Sequence, residues 1–463
     1  MSSVLPASVS PECPPPSPAS PGGWWAVLVA RQRRNELALP ILAFGLAVYV
    51  LGLFTSRAII SLSPLVLVLA AVLNRDWQLG WRAYWRNPAA LVPAGLYGLL
   101  LLSVVITIDL TEWRHQTFRQ LLLVAVPLAV AVAPPLPARY RAALAGWWLA
   151  VGTTVAAATL EYFLRHRAAI EESITRSKTQ TAVTGIGHIY FGVMLALCTL
   201  YGLEIAISDT RSCSRRTRLA AGVCAIVCAL TMHLLAYRTG LVALYGALAV
   251  SVVRTLIVQR RVVVGSLMVL GLIAMPVAAY YALPSVQLRV EQTHSDLHRF
   301  RHGEDINEYS LSQRLAAWYT AGTLVKRHWL TGVGQADVRR VMDEQYEHES
   351  FGLRPENRIL PHNQYLQYLL GGGVLALALL LALLLLPVLA GPTRSDPFVR
   401  HLVAAVGFAL CFDSMLEVQY GLNPFVLHYA VLVVGPWQRR ALARLPHPNR
   451  STPEYNPSGP PAV

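Results

Sequence analysis

His362, Asn363 and Gln364 head a long apolar run in "RILPHNQYLQYLLGGGVLALALLLALLLLP", residues 358–387. An imidazole gains and loses a proton near neutral pH, so His362 is a candidate general base. The plainer reading is a helix-start histidine hydrogen-bonded at a membrane interface. Its neighbours favour chemistry. Pro361 fixes the chain entry, Asn363 and Gln364 add amides, and the glycines at 371–373 allow close backbone approach. Arg238, in "LLAYRTGLVAL", stands between two apolar runs. A guanidinium there either snorkels to lipid phosphate or forms a fixed site for an anionic head group. Its planar fork of donors matches phosphate oxygens, and Thr239-Gly240 predicts a tight turn that would hold it. Arg314 opens the amphipathic stretch "SQRLAAWYTAG", where a solvated face is an equally good account. Asp413 and Glu417, one helical turn apart, either bind a hydroxyl or pair with an arginine. Arg57, between the first two apolar runs, completes the candidate binding residues.

These residues need a scaffold, and composition names its class. The chain has 463 residues, 54% hydrophobic and only 14% charged. Soluble domains carry about a quarter charged residues. The formal charge of +14 would suggest nucleic acid in a soluble protein. Here a membrane explains it, so no nucleic-acid partner is expected.

A crossing helix needs about 20 apolar residues. Twelve runs qualify: 37–55, 58–73, 89–108, 119–136, 142–160, 186–207, 219–237, 239–258, 262–283, 364–390, 401–417 and 423–437. The last is short enough to be re-entrant or a filler. Basic clusters such as "RQRR", "PARYR", "RSCSRRTR" and "QRRALAR" fall in alternate connections. Short Lys/Arg-rich loops stay cytoplasmic, which puts both termini in the cytoplasm and His362, Arg238 and Arg314 on the outer face. The expected fold is all-α and polytopic, with about twelve transmembrane helices. Helices 1–9 span 37–283 and helices 10–12 span 362–437. Tails at 1–30 and 445–463, rich in Pro and Ser, are expected to be disordered.

Residues 284–361 form the one large outer loop, with nine Arg, one Lys and eleven Asp plus Glu. Helical spacing recurs in "SVQLRVEQTHSDLHRFRH" and "SLSQRLAAWYTAGTLVKRHW", and Ser310 and Ser312 are candidate N-caps for the second. Such helices are expected to lie along the interface, apolar side down. "LTGVGQADVRRVMDEQYEHE" predicts a glycine turn and a third helix. A loop of this length with its own helices usually carries function.

Six cysteines lie outside this loop, so no structural disulfide is expected. A Walker loop, a dinucleotide fingerprint, HExxH and paired CxxC motifs are missing, as is Asp-x-Asp in any outer segment. The last absence argues against a metal-dependent sugar transferase. A transporter or flippase would be expected to carry repeats or broken midplane helices, which the sequence does not display.

"PHNQYLQYLLGGG" resembles the His-Asn/Ser motif with trailing glycines of the O-antigen ligase and polymerase superfamily. "YRTGLVAL" resembles that family's Arg-Thr/Ser-Gly segment, and "SLSQRLAAWYTAGTLVKRHWLTGVGQ" the stretch leading to its G-x-G turn. The resemblance covers roughly residues 37–440. It implies a C-type glycosyltransferase of the bacterial inner membrane with a periplasmic active site and no metal or other cofactor. The implied donor is O-antigen on undecaprenyl diphosphate, and the implied acceptor is lipid A–core oligosaccharide. Arg238, Arg314 and His362 match the family's essential residues. Asn363, Gln364, Arg57, Asp413 and Glu417 are expected to bind substrate. The family also holds polymerases and protein oligosaccharyltransferases. The mid-sized outer loop and the lack of a large C-terminal outer domain favour the ligase.

Overall fold

The computed structural model describes residues 28–32, 34–170, 180–208 and 213–445. Most of both expected tails, with Cys13, lies outside the described residues. Every regular element among the described residues is helical. The first eleven are α1 (Ala38–Thr55), α2 (Arg57–Val72), α3 (Trp77–Tyr84), α4 (Pro88–Leu102), α5 (Leu110–Gln120), α6 (Leu122–Val132), α7 (Ala138–Arg165), α8 (His188–Ile207), α9 (Arg215–Leu234), α10 (Arg238–Val253) and α11 (Val262–Ala282). An outer layer follows, of α12 (Pro284–His302), α13 (Ser310–His328) and α14 (Val338–His348). The chain then re-enters the bundle as α15 (Gln364–Leu389), α16 (Pro397–Leu410), α17 (Gln419–Tyr429) and α18 (Gly435–Ala443).

A helix lies at each of the twelve expected spans. Nine helical stretches among the described residues are long and apolar enough to cross a membrane. The chain is an all-α multi-pass membrane protein. Helix α2 has 16 residues and turns by 113° into α3, and α16 has only 14. The expected span 401–417 therefore stops early. Asp413 and Glu417 sit in the link to α17, where Glu417 ends a 3-10 turn at Met415–Glu417, not one turn apart on an α-helix. The expected span at 119–136 begins earlier, because Asp109 caps α5 by accepting the Glu112 amide at 2.9 Å. The last span, expected to be short, runs from Gln419 to Ala443 through a π turn at 430–434. Its first half is buried from Tyr420 to Tyr429, and the stretch is not among the nine long and apolar enough to cross.

Of the nine membrane-length stretches, helix α8 is the most enclosed, packed against α7, α9, α10 and α16. Small residues permit this. A Cβ added to Gly240 would stand 2.6 Å from the Gly192 carbonyl carbon, so α8 and α10 touch backbone to backbone near their N-terminal ends. That contact brings His188 and Arg238, the first residues of the two helices, to one place.

The outer layer has its own core. Ala316, Ala317, Ala321 and Leu324 of α13 meet Val338, Met342 and Tyr346 of α14, and Leu370 of α15 joins them. The apolar faces thus meet each other; the expectation of helices lying singly against lipid is corrected. The cap expected from Ser310 and Ser312 also comes from elsewhere. Asp296 Oδ2 of α12 accepts the Leu311 amide at 2.8 Å, and the Ser312 hydroxyl donates to the Asp296 carbonyl at 2.6 Å.

The glycine turn after α13 is sewn into α15. Gly373 has φ of +66° and breaks that helix, freeing backbone groups. Val333 and Gly334 donate to the Leu370 and Gly371 carbonyls, each at 2.9 Å, and Val374 donates to the Trp329 carbonyl at 2.8 Å. Gly332 and Gly334 have φ of +72° and +93°. A Cβ on Gly332 would lie 2.6 Å from Gly371 backbone atoms. Only glycine meets both demands.

Candidate active site

His362 is held from three directions. Its own φ is +43°, a left-handed conformation that non-glycine residues seldom adopt. Trp318 of α13 donates its indole N–H to the Pro361 carbonyl at 2.6 Å, on one side of the histidine. On the other side Asn363 caps α15, its Oδ1 accepting the Tyr365 and Leu366 amides at 3.0 and 3.1 Å. The ring is fixed by Asp413, whose Oδ2 lies 3.1 Å from Nδ1. Asp413 is 3% exposed and the imidazole 38%. A proton on Nδ1 shared with Asp413 leaves Nε2 as the acceptor.

Three guanidinium groups from different elements gather with Asp413 around His188. Arg314 projects from the second turn of α13. Burial pushes it below its ordinary value, while the charges of Asp413 and Tyr190 act the other way. Arg238 Nη2 donates to Gln292 Oε1 at 3.2 Å and to the Arg289 carbonyl at 3.3 Å. Its Nε is buried and meets no acceptor among the described residues. Arg289 of α12 donates to the same Gln292 oxygen at 2.9 Å. Burial, then the neighbouring Arg238, push the Arg289 guanidinium down to about 10, against the opposing pull of Asp296. His188 stands amid the charges of Arg289, Arg314, Asp413 and Arg238. Among the described residues these guanidinium groups stand with the carboxylates Asp413 and Asp296, and the unmet Nε of Arg238 suits an anionic acceptor.

Of the residues expected from sequence, Arg238, Arg314, His362 and Asp413 converge here. The tight turn expected at Thr239-Gly240 is instead at Ala236, with φ of +47°, and Gly240 serves the contact with α8. Asn363 is adjacent, but its side-chain oxygen is occupied by the cap. Gln364 is corrected to a structural role. It is fully buried, donating to Glu417 Oε1 at 3.0 Å and accepting the Leu416 amide at 2.9 Å. Glu417 likewise lies in a knot of amides, accepting also from Gln335 at 3.0 Å and Gln120 at 2.9 Å. Neither keeps a polar group for substrate while this knot holds. Arg57 is not brought into the cluster; its guanidinium stacks over Tyr420, 5.3 Å from the ring centre.

Arg289, Gln292, Asp296 and His188 were not singled out from the sequence. The first three had a signal, since positions 289, 292 and 296 share one face of a helix. His188 had a fainter one, a polar residue heading an apolar run, as His362 does. Among the described residues no group of three His, Cys, Asp or Glu side chains is arranged to hold a metal ion.

No curated protein matches the chain. A family model described as O-antigen ligase matches residues 223–381, a stretch that contains Arg238, Arg289, Arg314 and His362. Within it, Arg238 lies near the start and His362 near the end, and the fold brings both to the cluster around Asp413 and His188. Over that stretch, about a third of its length, the chain is similar to the O-antigen ligase family.

Proposed function

We propose that the chain is a ligase that moves O-antigen polysaccharide from undecaprenyl diphosphate to a sugar hydroxyl of lipid A–core oligosaccharide. The observation that carries this reading is the pairing of His362 with Asp413 beside Arg238, Arg289 and Arg314. Glycosyl transfer from such a donor needs an activated hydroxyl and a stabilised leaving group. His362 Nε2 takes the proton of the acceptor hydroxyl as its oxygen attacks the anomeric carbon. The bond from that carbon to the phosphate oxygen breaks, and the electron pair leaves with the prenyl diphosphate. The guanidinium groups stabilise the charge that gathers on it, and each such donor is worth about 2.7–4 kcal/mol of barrier. In-line attack inverts the anomeric carbon. Asp413 keeps the imidazole in the right tautomer and balances its charge.

The alternation of basic connections supports cytoplasmic termini and a periplasmic site in the bacterial inner membrane. The prenyl tail would then lie among apolar helix faces while its diphosphate meets the arginines. A transporter would gather its charges at the midplane, not at one end of the bundle.

The test is a reconstituted assay with prenyl-diphosphate-linked glycan, offered core lipid, a second donor molecule or a peptide. Transfer to core lipid that His362→Ala abolishes is the expected result. Chain extension on the second donor would make the protein a polymerase. No transfer to any acceptor would overturn the reading.

A further inference from the structure

A second polar cavity lies on the other side of the Glu417 knot. It holds about 790 Å³ between the start of α5, the segment 335–347 and the first turns of α15, within the range of small-molecule sites. Asp109, Glu112, Gln116, Gln335, Glu344 and Gln367 line it. Its character is opposite to that of the arginine pocket. The two arginines on its wall are already matched. Arg339 pairs with Asp343 at 3.1 Å, and Arg340 with Asp337 and Glu344 at 3.2 and 2.6 Å. Glu112 pairs with Arg119 and Glu347 with Arg358, yet the lining itself carries five carboxylates to two arginines, so a diphosphate is disfavoured.

Two buried amide oxygens on this lining lack a donor. Gln367 is 2% exposed and Gln116 8% exposed, and Oε1 of each meets no hydrogen-bond partner among the described residues. An orphaned buried carbonyl is costly, so such atoms point to a ligand that supplies donors. Carboxylates and amide oxygens accept hydrogen bonds and do not donate them. Ala336, Val338 and Leu360 add an apolar wall. The matching chemistry is a molecule with many hydroxyl donors, no negative charge and apolar C–H faces, which is a saccharide.

The cleft borders the segment that carries the histidine. Leu360 and Gln367 flank the 361–366 segment, and Gln335 reaches from the lining to Glu417. We propose that this cleft is a saccharide-binding subsite that holds uncharged sugar residues beside the transfer site, with Gln116 and Gln367 as its specificity-determining acceptors. The inference rests on the transferase reading for its purpose. The glycan could arrive from the acceptor or from the donor.

Binding to detergent-solubilised protein decides the matter, with two soluble probes: delipidated core oligosaccharide, and glycan released from the prenyl donor. At least one probe is expected to bind the wild type and His362→Ala alike, with little dependence on salt. Gln367→Met and Gln116→Met together should weaken it at least about tenfold, since each loses one hydrogen bond. Gln367→Met should leave the melting temperature unchanged or raised, because it removes an unsatisfied oxygen; a merely structural glutamine would lower it. Whichever probe binds names the source. Failure of both probes, binding lost with His362→Ala and kept in the Met variants, or binding abolished by moderate salt would overturn the proposal. Saccharide binding in the cleft with no transferase activity would sink the transferase reading and leave the subsite standing.

Discussion

Asp413→Asn is the most informative single change. The side chain keeps its shape, so the 3.1 Å contact with His362 Nδ1 survives as geometry. What changes is chemistry. Asparagine can present an N–H to the ring, which then protonates on Nε2 and loses its acceptor. The charged hydrogen bond also goes, an interaction worth about 1.5–3 kcal/mol. At about 1.4 kcal/mol per decade, this lowers turnover roughly 10- to 150-fold. His362→Ala removes the base altogether and should cost about 10²- to 10⁴-fold. The decisive measurement is the double variant in the reconstituted transfer assay. If Asp413 works through the imidazole, Asp413→Asn adds little to the loss from His362→Ala. Asp413 also balances Arg314, so donor KM should be followed separately from kcat. Full activity of Asp413→Asn, or losses that multiply in the double variant, would refute the positioning role.

Arg238→Lys should behave nearly as badly as Arg238→Ala, because an ammonium cannot contact Gln292 and a phosphate in the fork geometry; wild-type turnover with Lys would favour simple snorkelling. Arg289→Met should raise donor KM about tenfold or more with a milder effect on the melting temperature, since it also removes a repulsive neighbour of Arg238; an unchanged KM would exclude Arg289 from the donor site. Gly373→Ala places a Cβ 2.1 Å from the Leu330 carbonyl oxygen at positive φ, and should lower thermal stability by at least about 1–3 kcal/mol; melting curves check it. Burial raises the Asp296 carboxyl above its ordinary range. Between the ordinary value near 3.9 and that raised value, the folded state binds the extra proton. Stability from this group is therefore complete below about 3.9 and is lost as pH rises through the folded value. Asp296→Asn should flatten that part of the stability profile, and an identical profile would contradict the assignment.

Much of this was legible in the chain before any coordinates. The apolar runs located a helix at every expected span, since the requirement to satisfy backbone groups in lipid leaves few choices. Arg238, Arg314, His362 and Asp413 stood out because a polar group beside hydrocarbon needs a reason. Other features depend on tertiary contacts that no local pattern carries. Gln364 sits next to His362 in sequence, yet helix geometry turns it into the Glu417 knot, away from the site. The cap of α13 comes from Asp296, 15 residues upstream of the amide it accepts. The break in α15 was half visible in its three glycines, but only the structure pairs them with the turn at 332–334.

That pairing has a consequence for how the protein is made. The stretch from Trp329 to Gly334 finds its partners at 370–374, on a segment the ribosome supplies later. The loop can build its own small interior early, but it cannot dock until the following hydrophobic segment has been inserted and has bent at Gly373. Maturation of the candidate site is thereby tied to integration of a downstream helix, and a chain truncated before that helix would display an undocked loop with its glycine turn unmatched.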